Sequence, residues 1–187
     1  MKSLFLLCDE IQKMFVELRW RFCFIGGIAL QRWGEPRLTH DVDISLLTGF
    51  GNENHFIDIL CQQYIPRIEN VKDFALDNRV LLIKSETNIP IDISLAGLPF
   101  EELVIDRSSE FQFLENIRLT TCSAEDLIIY KAFADRTRDW ADIEGIIIRQ
   151  KNNLDRVYIE TKLLPLCELK ESPHIMQRIK KTFGAME

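Results

Sequence analysis

The sequence predicts an α/β (α+β) protein, with a mixed sheet flanked by helices and a small helical C-terminal lobe. Up to about residue 121, short apolar segments bounded by turn residues alternate with helical patterns. Beyond that point only helical spacing is found. The apolar fraction of 47% is enough for a buried core. The predicted lobes are residues 1–121 and residues 122–187.

The first lobe is predicted to open with an amphipathic helix, because Leu4, Leu7, Ile11 and Phe15 recur at helical spacing. Gly-rich and Asn-rich turns then separate the apolar segments. Strands are predicted at residues 22–25, 41–47, 79–85, 89–95, 111–114 and 116–120, and helices at residues 3–20, 27–34, 54–63 and 99–106.

The second lobe is predicted to begin at Ser123, because a Ser followed three residues later by an acid, here Asp126, is typical of a helix N-terminus. The remaining chain shows helical periodicity. Helices are predicted at residues 124–134, 138–150, 154–169 and 174–183.

Composition argues for a cytoplasmic protein with no membrane partner. No run of about 18 apolar residues is present, and the N-terminal residues do not resemble a signal peptide. The five cysteines are scattered and odd in number, which favours reduced thiols. A formal net charge of −6 disfavours sequence-independent coating of nucleic acid.

One stretch of the first lobe combines a phosphate-binding turn with a pair of acids. Gly26 and Gly27 open a helix, where bare backbone N–H groups and the positive dipole end suit a phosphate. Asp41 and Asp43 follow on the next strand and point to the same face. Two carboxylates so close repel each other unless a cation lies between them. The pattern predicts nucleotide chemistry with a divalent metal.

Asp92, in the strand predicted at residues 89–95, is a further candidate for the same site. It is the one acid in an otherwise apolar strand, and a buried acid is costly unless it is paired or binds a metal. The alternative for Asp92 is an acid that faces water on an edge strand.

These residues resemble a known family. Gly26-Gly27 followed by Arg37-x-Thr39-x-Asp41-x-Asp43 is similar to the signature of nucleotidyltransferases of the DNA-polymerase-beta superfamily, and most similar to the AbiEii-type toxin branch. A second block resembles that branch's downstream motif of a Lys, an Arg, a basic residue and two acids. It consists of Lys131, Arg136, Arg138, Asp139 and Asp142.

The resemblance implies a polymerase-beta-type fold and the transfer of a nucleoside monophosphate from an NTP to a hydroxyl, with release of pyrophosphate. Two Mg²⁺ ions would be held by Asp41, Asp43 and Asp92, and Asp92 would also help to deprotonate the acceptor. Lys131 would be catalytic, neutralising charge on the phosphates. Nucleotide-binding roles are implied for Gly26, Gly27, Arg37, Thr39, Arg136 and Asp139.

The same resemblance implies a toxin with a cognate antitoxin, acting on a tRNA end or a protein hydroxyl. Two other functions remain open: a nucleotidyltransferase for a small molecule such as an antibiotic or metabolite, and a non-catalytic nucleotide-binding module. At the level of residues, Arg37 is equally well explained as a surface-loop residue. The block from Lys131 to Asp142 is also compatible with a salt-bridged helix end.

Overall fold

A computed structural model describes residues 2–186, and within them seven strands form one mixed sheet. In chain order the strands are β1 (Phe22–Phe24), β2 (Val42–Leu47), β3 (Ile65–Pro66), β4 (Val80–Lys84), β5 (Pro90–Ala96), β6 (Ser109–Leu114) and β7 (Ile117–Thr121). The spatial order is β3-β4-β5-β2-β1-β7-β6. The predicted α/β class is confirmed.

The centre of the sheet places two predicted strands side by side. β2 pairs in parallel with β5 and antiparallel with β1. β4 and β5, which correspond to two of the predicted strands, pair antiparallel, and the N–H of Ser85 donates to the carbonyl of Ile89 between them at 3.0 Å. Pro90 stands at the first position of β5, where a strand residue need not donate to the ladder.

Helices make up much of the rest of the described residues. In chain order they are α1 (Lys2–Glu17), α2 (Gly26–Trp33), α3 (Glu53–Gln63), α4 (Val71–Asn78), α5 (Pro99–Asp106), α6 (Ala124–Ala134), α7 (Thr137–Gln150), α8 (Arg156–Leu169) and α9 (His174–Met186). None of the helices within the described residues is both long and apolar enough to cross a membrane.

The core of the sheet lies against α1, α3 and α4. Val42, Ile44 and Leu46 of β2 are buried there, so the alternate residues of that strand, including Asp43, point to the opposite face. Strand β3 and helix α4 were not predicted, because the segment from residue 64 to residue 78 has no clear apolar period.

By their internal contacts the described residues divide into two compact units. The first contains the described residues up to Ile28 together with Leu38–Cys122, and thus the whole sheet. The second contains Ala29–Arg37 and the described residues from Ser123 onward. The grouping of Ala29–Arg37 with the C-terminal helices was not predicted from the sequence.

Candidate active site

Asp41 and Asp43 lie at the start of β2 on the face away from the core. Both are half-buried, whereas the intervening Val42 is fully buried. The end of β1 fixes the backbone here, since the N–H of Ile25 donates to the carbonyl of Asp43 at 3.0 Å. The predicted alternation of the two acids with core residues is therefore confirmed.

The glycine turn packs directly on Asp43. Gly26 has a φ of +53°, and a Cβ atom at this position would lie 1.9 Å from Oδ2 of Asp43. The N–H of Gly27 donates to the same oxygen at 3.3 Å. Only glycine allows the turn to approach the carboxylate this closely.

Thr39 closes the other side of the turn. A Cβ atom on Gly27 would lie 2.3 Å from Oγ1 of Thr39, and that buried hydroxyl donates to Oδ1 of Asp41 at 2.7 Å. The first unit therefore brings Gly26, Gly27, Thr39, Asp41 and Asp43 together. Thr39 holds Asp41 in place, and Gly27 leaves room for Thr39.

Asp92 is next to this group. It is the register partner of Asp43 on the adjacent parallel strand β5, so the two side chains emerge on the same face. Its carboxylate accepts a hydrogen bond from Arg67, which directly follows β3. Burial raises the pKa of Asp92 above its usual value; the positive charge of Arg67 opposes the rise, and the negative charge of Asp41 adds to it.

Carboxylate oxygens are the donors that Mg²⁺ prefers, so these three acids fit such an ion in chemistry and in strand register. Each carboxylate is turned toward a protein donor: Thr39 for Asp41, Gly27 for Asp43 and Arg67 for Asp92. The described part of the chain contains no preformed cluster of three metal-ligating side chains. Metal binding by this group stays a prediction.

In the second unit, Lys131 lies at the centre of a buried ion-pair network. Its side chain is 6% exposed, and Nζ donates to Asp142 at 2.6 Å and to Asp139 at 3.1 Å. Both acids lie on one face of α7 because they are three residues apart. The described contacts of Lys131 are with these carboxylates, and its predicted contact with nucleotide phosphates stays a prediction.

Two arginines complete the network. The guanidinium of Arg37 binds both carboxylate oxygens of Asp142, at 2.9 and 3.0 Å, which ties Ala29–Arg37 to α7. Arg136 donates from Nε to Asp139 at 2.6 Å, while its own side chain is 77% exposed. Burial alone would raise the pKa of Asp142, but hydrogen bonds and positive charge from Arg37 and Lys131 hold it below its usual value.

The residues of the two motifs thus form two groups, one in each unit. The contact between Arg67 and Asp92 was not predictable from the sequence, because it depends on the unpredicted strand β3. The pairing of Arg37 with Asp142 was likewise not predictable. Arg37 and Asp142 were both recognised as motif members. Their pairing was not predictable because the two residues are 105 positions apart in the sequence.

Comparison with solved structures identifies nucleotidyltransferase folds. An antigenic nucleotidyltransferase-like protein from Paracoccidioides brasiliensis aligns with a TM-score of 0.55 and 14% identity, covering 95% of this chain and 93% of that one. The antibiotic-resistance factor ANT(2'')-Ia gives a TM-score of 0.57 at 13% identity, covering 91% of this chain and 94% of that one. Lincomycin-bound LnuA, a lincosamide antibiotic adenylyltransferase, gives 0.51 at 17%, covering 73% and 92%. At these identities the likeness shows the fold.

None of the curated proteins compared matches the chain. A family model described as "Nucleotidyl transferase AbiEii toxin, Type IV TA system" matches residues 12–168, which include both motif groups. The family resemblance drawn from the two motifs is confirmed. The chain therefore belongs to the AbiEii family of nucleotidyltransferase toxins of type IV toxin–antitoxin systems.

Proposed function

We propose that this nucleotidyltransferase moves a nucleoside monophosphate from an NTP to a hydroxyl acceptor with the help of Mg²⁺. The observation that carries the proposal is the register pairing of Asp43 with Asp92, with Asp41 two residues before Asp43 on the same face. Divalent ions held by these three acids would neutralise triphosphate oxygens and activate the attacking oxygen.

In the proposed reaction, the acceptor oxygen forms a bond to the α-phosphorus of the NTP. The bond from that phosphorus to the β-bridging oxygen breaks, and pyrophosphate leaves. The proton of the acceptor hydroxyl passes to a carboxylate oxygen, for which Asp92 is our choice. Gly26 and Gly27 offer backbone to the triphosphate without a side chain in the way.

The second group has a supporting role in this proposal. Lys131, Asp139, Asp142 and Arg37 form a network whose acids are buried and fully engaged, which suits the positioning of Ala29–Arg37 on α7. Arg136 is the exposed member and the one best suited to meet a phosphate, because a guanidinium binds phosphate oxygens in pairs. The catalytic role predicted for Lys131 stays a prediction.

The acceptor proposed first is an RNA end, such as that of a tRNA, or a protein hydroxyl, in keeping with a toxin that has a cognate antitoxin. A small molecule is the second candidate, favoured by the fold likeness to LnuA and ANT(2'')-Ia, which are named for antibiotics. A non-catalytic nucleotide-binding module is the third, and it predicts NTP binding without turnover.

The test is transfer of label from each α-labelled NTP, with Mg²⁺, into a bacterial lysate whose products are separated into RNA, protein and small molecules. The matched control is the Asp41→Ala, Asp43→Ala double variant. Label that appears only with the unaltered protein would support the proposal and identify the acceptor class. NTP binding with no label in any fraction, also after addition of antibiotics to the lysate, would favour the non-catalytic module.

A further inference from the structure

Arg67 contacts the candidate metal site although it belongs to neither sequence motif. Its N–H donates to the carbonyl of Leu82 on β4 at 3.1 Å. Leu82 is the register partner of Asp92, which is in turn the partner of Asp43. Arg67, Leu82, Asp92 and Asp43 therefore form one row across the sheet.

The side chain of Arg67 crosses β4 to reach its partner. Neighbouring strands are about 4.8 Å apart, so two strand spacings separate the backbone of Arg67 from that of Asp92. Only an extended Arg or Lys can span this gap with a charged group. The pair is partly buried, with side chains 27% exposed for Arg67 and 35% for Asp92, which strengthens it relative to a surface pair.

We propose that Arg67 is an internal counter-ion for Asp92, which competes with the divalent cation for that carboxylate. The inference rests on the proposed function, since it requires the cation to bind at Asp41, Asp43 and Asp92. Without a cation, the acids on this face repel one another, and the guanidinium offsets part of that repulsion. A cation that binds the same carboxylate oxygen of Asp92 has to displace the guanidinium.

The competition has a measurable consequence in the protein without nucleotide. Removing the positive charge of Arg67 frees Asp92 and makes the local potential more negative, so a divalent cation binds more tightly. An Arg67→Gln variant is expected to bind Mn²⁺ about three- to tenfold more tightly than the unaltered protein, the size expected for loss of one partly buried competing charge. Arg67→Lys keeps a charge within reach and should bind nearly as the unaltered protein does.

The experiment is a Mn²⁺ titration of the full chain, with free Mn²⁺ measured by electron paramagnetic resonance. Arg118→Gln is the matched control: Arg118 lies on β7, three strands from β5, and pairs with Glu110 at 3.4 Å. Its Mn²⁺ affinity should not change. Circular dichroism checks each variant for folding, and Arg67→Met, which keeps the apolar stem, replaces Arg67→Gln if the latter is unfolded.

An Asp43→Asn variant distinguishes the counter-ion role of Arg67 from metal binding by the three acids. If Asp43→Asn weakens Mn²⁺ binding and Arg67→Gln strengthens it, the counter-ion role is supported. If Asp43→Asn weakens binding but Arg67→Gln leaves it unchanged or weakens it, Arg67 has no competing role, whereas the metal site stands. If Asp43→Asn leaves Mn²⁺ binding unchanged, or if neither the unaltered protein nor Arg67→Gln binds Mn²⁺, the metal site and the role of Arg67 are both overturned.

Discussion

Asp43 and Asp92 are register partners on the adjacent parallel strands β2 and β5, which places two carboxylates side by side on one face of the sheet. The residues around them in each strand, Ile44 and Ile93 among these, are fully buried on the other face. Because a one-residue shift of either strand would turn its acid toward the core and its apolar residues away from it, burial of the apolar residues fixes the register of the pair. The strand pairing therefore determines that the two carboxylates are neighbours.

Asp43→Asn tests what the pair is for. It keeps the size of the side chain and leaves an oxygen that can accept from Gly27, so we expect the fold to persist. Nucleotidyl transfer should fall by about a hundredfold or more, because a divalent ion loses one charged ligand. The measurement is transfer rate at saturating NTP beside a thermal unfolding curve. Full activity, or unfolding, would contradict the assignment.

Gly26→Ala tests the close approach of the turn. The new methyl group would lie 1.9 Å from Oδ2 of Asp43, and the residue would keep a φ of +53° that disfavours alanine. We expect a loss of about 1–3 kcal/mol in the free energy of unfolding and a fall in activity, because Asp43 has to move. Gly49→Ala is the control: it has φ +70° but no atom within 4 Å of a new Cβ. An equal loss of activity in both variants would assign the effect to backbone strain alone.

The alternation of Asp41 and Asp43 with core residues was predictable from the sequence, because side chains of a strand alternate between faces. The β4–β5 hairpin was also predictable, since two apolar segments flank a short polar turn. Strand β3 was not predictable from the sequence. Its two residues, Ile65 and Pro66, are both exposed, so the segment has no alternation of apolar and polar residues that would indicate a strand. As a result, nothing in the sequence placed Arg67 beside Asp92.

In the ion-pair network around Lys131, the residue types were likewise predictable from the sequence, whereas their contacts were not. Lys131, Asp139 and Asp142 were recognised as motif members because of their order and spacing. The sequence did not reveal that the ammonium is buried, since a Lys on a helix is normally solvated. Burial follows from the packing of α6 on α7, which a helical period alone does not specify.

Lys131→Met separates a positioning role from a catalytic one. It leaves Asp139 and Asp142 buried with one cation fewer, and we expect a loss of about 3–5 kcal/mol in the free energy of unfolding. Urea denaturation measures this, with the exposed Lys181→Met as the control. Lys131→Arg keeps the charge. If Lys131→Arg restores stability but not the turnover number, Lys131 acts on the reaction itself; if it restores both, its role is to position α6 and α7.

Asp142 predicts a dependence of stability on pH. Its folded-state pKa lies below the ordinary value of 3.8, because Arg37 and Lys131 outweigh the effect of burial. The ionised carboxylate therefore stabilises the fold fully above pH 3.8, and the contribution is lost as the pH falls through the lower folded pKa. Carboxyl NMR should show this low pKa, and Arg37→Gln should raise it. A value in Arg37→Gln equal to that of the unaltered protein would contradict the pairing seen at Asp142.

Arg136→Gln tests the exposed end of the network. The side chain of Arg136 is 77% exposed, so its pair with the buried Asp139 is screened by solvent. The free energy of unfolding should therefore change by no more than about 1 kcal/mol. If Arg136 binds the phosphates of the NTP, KM for the NTP should rise several-fold with a smaller change in the turnover number. Arg118→Gln is the control, because Arg118 is an exposed arginine outside both motifs that pairs with Glu110 at 3.4 Å. A KM that is unchanged in Arg136→Gln, or raised equally in both variants, would remove Arg136 from the nucleotide site and leave it as a partner of Asp139.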